Sequence, residues 1–403
     1  MSELGVLEPH DFSGYGRARI EFLSPCPLCQ AHAPIQTSSE SLEVVGIGKV
    51  FVGYGYCGEC GHIYQVSPVP ETVLAEYYRR FSNYTSQTKP DVAKLLPPNA
   101  MTRRLISIAR DNIKGAGSIY EVGCATGLHL NHFKWAGWQV GGCDPSPKAC
   151  AQAKELYGLD IECGLEADTL LHQSNQDVIL FSGVLEHLPD PVHALKRARS
   201  ALKHDGHVVL EVPCATSPES LPPGWFAFEH LHYYTDLAIR QLLAMAGFQL
   251  IDARISYRDF IYPVITCVAQ RMDDRVKCPP GDAEATRKFI QVYKARDFYF
   301  WAKAAEKLSQ IEGAYYVWGA GIHTSQLLDR VPSCLEYICR FVDRDPQKLG
   351  SFIAKLPVVG PNTYYNHPDQ PPIVISSYAN EQEIFEELLA NDVPEELVIR
   401  LYR

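Results

Sequence analysis

The sequence predicts an α/β protein in three parts: a small metal-binding unit, a central parallel α/β domain and a second, smaller α/β domain. Three observations predict this arrangement. Two C-x2-C pairs lie near the N-terminus, a glycine-rich turn follows the apolar run at 118–122, and strand-like and helix-like patterns then alternate in two successive regions. Such alternation is typical of parallel sheets covered by helices. We place the parts at 1–70, 71–278 and 279–403.

Composition restricts the class of partner. The chain has 403 residues, of which 46% are hydrophobic and 21% are charged, as expected for a globular protein with more than one domain. Its net charge of −10 argues against nucleic acid or an anionic membrane as the main partner. The N-terminus has no secretory pattern, and no run approaches the roughly 18 apolar residues of a spanning helix. We therefore expect a cytoplasmic protein with reduced cysteines.

The first part carries a predicted metal site. Its four cysteines, spaced in two knuckles, are Cys26, Cys29, Cys57 and Cys60. Two C-x2-C knuckles separated by a few tens of residues are typical of a tetrahedral structural Zn²⁺ site in a zinc-ribbon-like domain. Four thiolates leave no position for water, so the ion is assigned to folding, not to hydrolysis. The neighbouring His62 is an alternative ligand in place of one thiol.

The central domain begins with a strand that ends in a glycine turn. The turn contains Glu121, Gly123, Cys124 and Gly127, and a helix-like pattern follows it. Glycines let the backbone approach a ligand closely, and the N–H groups at a helix start favour an anionic group. Ala125 interrupts the G-x-G-x-x-G pattern of dinucleotide sites, which argues against NAD. The turn therefore predicts a nucleotide-like cofactor of another kind.

Two later segments complete this pattern. Asp144 ends the next predicted strand, where a carboxylate is placed to accept hydrogen bonds from ribose hydroxyls. The segment 181–191, with sequence FSGVLEHLPDP, follows a further strand. Together with the glycine turn, these residues resemble the class I methyltransferases that depend on S-adenosylmethionine (SAM). The resemblance implies a Rossmann-like fold for the central domain.

The resemblance also assigns roles to residues around the cofactor. It implies that the turn from Glu121 to Gly127 lies under the methionine part of SAM and that Asp144 binds the ribose. Glu166 and Ala167 correspond to the segment near the adenine, and Ser182 begins the loop beside the sulfonium. The Glu-His pair that follows in this loop is expected mainly to shape it.

Over nearly its full length the chain resembles the three-domain, zinc-containing sugar C-methyltransferases that act on nucleotide-linked 4-keto-deoxysugars. In the third part, the turn 318–321 and the segment 342–350 carry this likeness. Thr324 stands where a dinucleotide site has its third glycine, so a working NAD site is not expected. The resemblance implies that this Rossmann-like domain forms a wall of the sugar-nucleotide cleft.

The same resemblance indicates the catalytic residues. A Glu-His pair ahead of aromatic residues is a family signature, and here it is Glu229 and His230. Methylation of carbon beside a ketone requires removal of an α-proton, and a histidine that titrates near neutrality is the expected base. Glu229 is expected to orient this ring or contact the sugar, and Tyr84 matches an active-site tyrosine region. The family's tyrosine and histidine before the glutamate are Ala227 and Phe228 here, so an altered pocket is expected.

Two alternatives remain open at this stage. In a SAM-dependent O-methyltransferase acting on a sugar or another small metabolite, His230 would deprotonate a hydroxyl group. In a non-catalytic module, the zinc ribbon would contact RNA or a protein, although the segment with the four cysteines lacks a cluster of basic residues. The sequence does not identify the sugar, the methylated position, the pathway or the oligomeric state.

Overall fold

The computed structural model describes residues 23–81, 97–170, 173–257 and 261–402. These residues form one antiparallel sheet and two mainly parallel sheets covered by helices, which confirms the α/β class. None of the helices in the described part of the chain is both long and apolar enough to cross a membrane.

The first sheet contains strands from two distant regions of the chain. Its antiparallel order is β1-β2-β3-β9, formed by β1 Pro34–Val44, β2 Gly48–Cys57, β3 Ile63–Ser67 and β9 His232–Tyr233. The sequence predicts β9 as part of a loop that enters a helix. Instead, its two residues pair with β3, at Ile63↔Tyr233 and Tyr64↔His232. The segment that carries Glu229 and His230 is therefore attached to the first sheet.

The central sheet has seven strands in the order β10-β11-β8-β7-β4-β5-β6. They are β4 Ser118–Val122, β5 Gln139–Asp144, β6 Glu162–Cys163, β7 Gln176–Ser182, β8 Leu202–Pro213, β10 Phe248–Ser256 and β11 Val264–Arg271. β11 runs antiparallel to both of its neighbours, whereas β4 to β8 are mutually parallel. Residues 178–181 of β7 are fully buried, as expected for a central strand covered on both faces.

Seven helices lie along the described residues of this part of the chain, and four of them begin at a side-chain cap. The helices are α1 Glu71–Phe81, α2 Ala100–Asn112, α3 Leu128–Trp135, α4 Pro147–Tyr157, α5 Glu166–Thr169, α6 Pro191–Ala201 and α7 Asp236–Met245. A 3-10 helix covers Leu185–His187. Thr235 caps α7, since its hydroxyl oxygen accepts the Ala238 N–H at 3.0 Å. Threonine is a favoured N-cap residue, so this helix start follows from local capping chemistry.

The third sheet has the order β14-β15-β13-β12-β16-β17, with β12, β13, β15, β16 and β17 parallel. Its strands are β12 Tyr315–Trp318, β13 Ile338–Val342, β14 Phe352–Ile353, β15 Leu356–Val359, β16 Ile373–Ile375 and β17 Val398–Arg400. The accompanying helices are α8 Ala283–Ser309, α9 Ile322–Arg330, α10 Pro361–Tyr365 and α11 Glu381–Ala390. One apolar core joins this unit to the first sheet, with Val52 and Tyr54 in the same cluster as Trp301 and Leu327.

Candidate functional site

The glycine turn lies at the carboxyl end of β4, before α3. Gly123 and Gly127 have φ values of +67° and +77°, which favour glycine. A Cβ atom on Gly123 would lie 2.6 Å from a methyl carbon of Val184, and one on Gly127 would lie 2.8 Å from a methyl carbon of Leu159. Ala125 also has a positive φ, +47°. The turn is thus tightly wound and packs against the loop that follows β7.

Asp144 fixes this turn to the end of β5. Its two carboxylate oxygens accept backbone N–H bonds from Ala125, at 2.9 Å, and from Ser146, at 2.8 Å. Burial raises the pKa of this carboxyl group, although both N–H bonds act to lower it. The Asp144 carboxylate therefore holds the backbone of the turn to the end of β5, and its role toward a ribose remains a prediction.

Glu121 and Cys124 lie in the interior behind the turn. The Glu121 carboxylate is 2.8 Å from Nδ1 of His129 on α3. Burial acts to lower the pKa of His129, but the attraction of Glu121 outweighs burial and the pKa is raised. Cys124 is buried and donates its backbone N–H to the carbonyl of Cys143 at 3.0 Å. These side chains stabilise the turn from behind.

The remaining predicted cofactor residues lie on the neighbouring loops. Glu166 begins α5, next to Ala167, and forms an ion pair with Arg197 of α6. Ser182 ends β7, and its hydroxyl donates to the sulfur of Met101 at 2.9 Å. Both polar side chains thus have protein partners, while their roles toward a cofactor remain predictions.

A cluster of three titratable side chains lies just beyond the turn. Glu186 and His187, in the 3-10 helix after β7, meet His230 from the distant loop, and one potential ligand atom from each lies within 4.8 Å of the others. The two imidazole rings are 4.9 Å apart at 73°. The sequence places the Glu-His pair in this loop but does not indicate that it contacts His230. A signal for this contact that the sequence does offer is that both loops carry a Glu-His pair, at 186–187 and at 229–230.

Hydrogen bonds hold the His230 loop in place. Nδ1 of His187 lies 2.9 Å from the Glu229 carbonyl and 2.8 Å from the hydroxyl of Tyr78 on α1. The Gln65 amide of β3 donates to the carbonyls on either side of Glu229, at 2.8 and 2.9 Å. The first sheet and α1 therefore position the predicted catalytic pair.

Burial determines the charge state of this cluster. It lowers the pKa of His187 to about 4 and, together with repulsion from His187, lowers that of His230 well below its ordinary value. Burial also raises the pKa of Glu186 to about 8 and raises that of Glu229, where a Tyr77 hydrogen bond opposes the shift. The expectation that His230 titrates near neutrality is therefore wrong. Its imidazole is neutral at pH 7, the form that a base requires.

The four N-terminal cysteines form a compact sulfur cluster. The Sγ atoms of Cys26 and Cys60 are 3.6 Å apart, as are those of Cys29 and Cys57, and all four lie within 4.8 Å of one another. Four thiolates placed tetrahedrally around Zn²⁺ at about 2.3 Å would be separated by about 3.8 Å. A disulfide needs about 2.05 Å, so the spacing fits a metal site.

Both knuckles have the same backbone shape. The residue after the second cysteine has a positive φ in each, +62° at Gln30 and +79° at Gly61. The Glu59 N–H also points to the Cys57 sulfur, at 3.4 Å. His62 does not belong to the sulfur cluster, because its Nε2 lies 3.1 Å from Nδ1 of His232. All four predicted ligands are therefore brought together without it.

Comparison with known proteins identifies the central domain. A family model described as a methyltransferase domain matches residues 84–253. The protein is an enzyme that contains a methyltransferase domain. The matched segment of the methyltransferase includes the glycine turn, Asp144 and the loop through His230. It also includes Tyr84, which lies outside the described residues.

More distant likenesses concern solved structures. The 1,6-didemethyltoxoflavin-N1-methyltransferase of Burkholderia thailandensis is 17% identical, with 53% of this chain and 96% of that chain covered and a TM-score of 0.40. The magnesium protoporphyrin IX methyltransferase of Synechocystis PCC 6803 is 16% identical, with coverage of 50% and 100% and a TM-score of 0.38. No curated protein matches the chain significantly. Values this low do not indicate a substrate.

Proposed function

We propose that this methyltransferase uses SAM to methylate a carbon atom beside the carbonyl group of a nucleotide-linked keto-deoxysugar. The observation that supports this most is the position of a neutral, half-buried imidazole, His230, in contact with the loop that packs on the glycine turn. A carbon acid must lose a proton before it can accept a methyl group, so a base is required beside the donor site.

The turn and Asp144 are the proposed SAM-binding residues. SAM supplies an electrophilic methyl group on a positively charged sulfur. The N–H groups at the start of α3 suit its carboxylate, and the Asp144 carboxylate suits its ribose hydroxyls. Glu166, Ala167 and Ser182 line the neighbouring loops, where the resemblance places the adenine and the sulfonium.

His230 is the proposed base. Its Nδ1 is buried and has no hydrogen-bond partner among the described residues. In the tautomer with an unprotonated Nδ1, this nitrogen would take the α-proton from the substrate carbon, and the resulting enolate carbon would accept the methyl group, with S-adenosylhomocysteine (SAH) as the other product. Glu229 would contact the sugar or orient the ring, and Tyr84 is a further proposed catalytic residue. The low pKa of His230 disfavours long-lived proton retention, so the proton would pass on to solvent or to a neighbouring group.

The C-terminal domain is the proposed wall of the substrate cleft. Its own glycine turn is held by Asp343, which accepts the Ala320 N–H at 2.9 Å and a Lys348 N–H at 3.0 Å. The positive charge of Lys348 also acts to lower the pKa of Glu229. This electrostatic interaction supports a position of the third sheet's turn on the same side of the molecule as the Glu-His loop. A basic residue at this position also suits a substrate that carries phosphate.

We further propose that the four cysteines hold one structural Zn²⁺. The first sheet both receives β9 and contributes Gln65 to the Glu229–His230 segment. An ion in the cysteine cluster would therefore stabilise the first sheet, which holds the segment with Glu229 and His230 in place. The Zn²⁺ has no proposed part in methyl transfer.

Isotope exchange distinguishes carbon from oxygen methylation. The demethylated product SAH cannot donate a methyl group, so the protein is incubated with SAH and a nucleotide-linked 4-ketosugar in deuterated water. If the enzyme methylates carbon, reversible removal of the α-proton should place deuterium at the α-carbon without turnover. His230→Gln should lower turnover and exchange by at least about a thousandfold, within the range of general-base catalysis, while SAM affinity stays unchanged. His193→Gln, at an exposed histidine of α6, is the matched control. Methyl transfer without any exchange would instead support the O-methyltransferase alternative.

A further inference from the structure

A cavity of about 440 Å³ lies apart from the methyl-transfer site. It is enclosed by β1, by α8, by the end of α9 and by the loop at 224–226. None of the cysteine ligands, turn residues or members of the Glu186–His187–His230 cluster lines it. The methyltransferase activity therefore does not account for this cavity.

Carboxylates dominate the charge of the cavity wall. Glu40, Asp297 and Asp329 line it together with only two cationic residues, Lys294 and Arg330. The wall thus carries one more negative than positive charge when all five residues are ionised. Such an excess favours a positively charged occupant over an anion.

Glu40 has one carboxylate oxygen that the protein leaves unused. The residue is only 4% exposed, and its Oε1 forms an ion pair with Arg330. Its Oε2 is buried and has no hydrogen-bond partner in the part of the chain that the structure describes. An unpaired buried carboxylate oxygen is costly, and burial raises the pKa of Glu40 to about 7. A donor with a positive charge would remove this cost.

The other two carboxylates are fixed in place by the protein. Asp297 accepts the Gly224 N–H at 2.8 Å and the Trp301 indole N–H at 3.1 Å. Asp329 accepts the Ser41 N–H at 3.0 Å. The negative wall is therefore built from oriented groups and does not consist of mobile surface side chains.

Aromatic rings form the rest of the wall. Phe226, Tyr293 and Trp301 are buried, whereas Phe298 is 76% exposed. Ring faces attract ammonium groups, and they also pack against short methylene chains. A cavity with carboxylates and aromatic rings suits a ligand that has a charged nitrogen and an aliphatic body.

We propose that this cavity binds a small organic cation that carries a primary ammonium group, with Glu40 as its principal partner. The occupant would contact the loop that continues to His230. Gln326 of α9 holds that loop by donating to the carbonyls of Gly224 and Phe226, at 2.9 and 2.8 Å. The Phe226 ring is 4.7 Å from Tyr233, whose ring in turn is 6.1 Å from His230.

Calorimetry on the full chain tests the proposal with 1,4-diaminobutane as the probe. We expect saturable binding of one diamine per chain and no binding of butane-1,4-diol, the neutral compound of equal length. Glu40→Gln should weaken diamine binding at least tenfold, or about 1.4 kcal/mol. Glu43→Gln, on the same strand but outside the cavity, should leave it unchanged. SAM affinity should not change in either variant.

A second variant avoids the buried position. Phe298 is exposed, so Phe298→Lys should fold normally while placing a positive charge at the cavity. It should weaken diamine binding at least fivefold. The proposal is overturned by absence of saturable diamine binding, by equal binding of the diol, or by full diamine affinity in folded Glu40→Gln. If Glu40→Gln does not fold, full affinity in Phe298→Lys overturns it.

Discussion

Asp144 joins two parts of the proposed SAM site, and Asp144→Asn tests whether that junction governs cofactor binding. The carboxylate accepts two backbone N–H bonds, from Ala125 and Ser146, at 2.9 and 2.8 Å. Asparagine keeps one acceptor oxygen but presents an NH₂ group to the second N–H. One hydrogen bond to a charged acceptor is therefore lost, at a cost of about 2–3 kcal/mol.

This cost should appear in the affinity for SAM because the turn must be ordered to bind it. A loss of 2–3 kcal/mol corresponds to a dissociation constant raised about 30- to 150-fold. Titration calorimetry with SAM measures this directly, and circular dichroism verifies folding. Asp343→Asn is the matched control, since Asp343 holds the corresponding turn of the C-terminal domain through Ala320. Unchanged SAM affinity in folded Asp144→Asn would refute the assignment of this site.

Two further predictions concern the metal cluster and the buried histidines. Cys29→Ser should lower the zinc content from one ion per chain to well below one, and it should lower the melting temperature. Plasma mass spectrometry measures the zinc content, and full zinc content in the variant would contradict the four-thiolate site. Burial lowers the pKa of His232 to about 4 in the folded protein, whereas the pKa in the unfolded chain is near 6.5. As the pH drops from 6.5 to 4, the unfolded chain therefore binds a proton that the folded protein does not bind, and the free energy of unfolding falls. Denaturant titrations at pH 7 and pH 5 measure this fall in the free energy of unfolding, which should be about 2 kcal/mol larger in the wild type than in His232→Gln. Equal falls in the two proteins would contradict a neutral buried ring.

Local sequence patterns predicted the elements that depend on local chemistry. The strand before the glycine turn, Asp144 at the end of the next strand, and the Thr235 cap follow from hydrophobic runs, glycine conformations and capping preferences. The amphipathic run at 282–311, which has few helix-breaking residues, predicts one long helix, and the structure has this helix as Ala283–Ser309. The cysteine spacing likewise predicted the sulfur cluster, because each knuckle is a short local turn.

Features that depend on contacts between distant residues were not predicted. β9 has only two residues, so it carries no periodic pattern, and it forms because β3 offers an edge. The meeting of His187 with His230 has the same origin, since the loop after β7 and the segment before β9 come together only in the folded sheet order. The depressed pKa of His230 follows from this burial, which the sequence alone does not reveal.

The central claim is that a sulfonium donor lies on the turn after β4, facing His230. A crystal structure of the protein with SAH tests it most directly. The account predicts the ribose hydroxyls on the Asp144 carboxylate, the methionine part against Gly123 to Gly127, and the sulfur directed toward the Glu186–His187–His230 cluster. SAH bound at another location, or with its sulfur directed away from that cluster, would contradict the account.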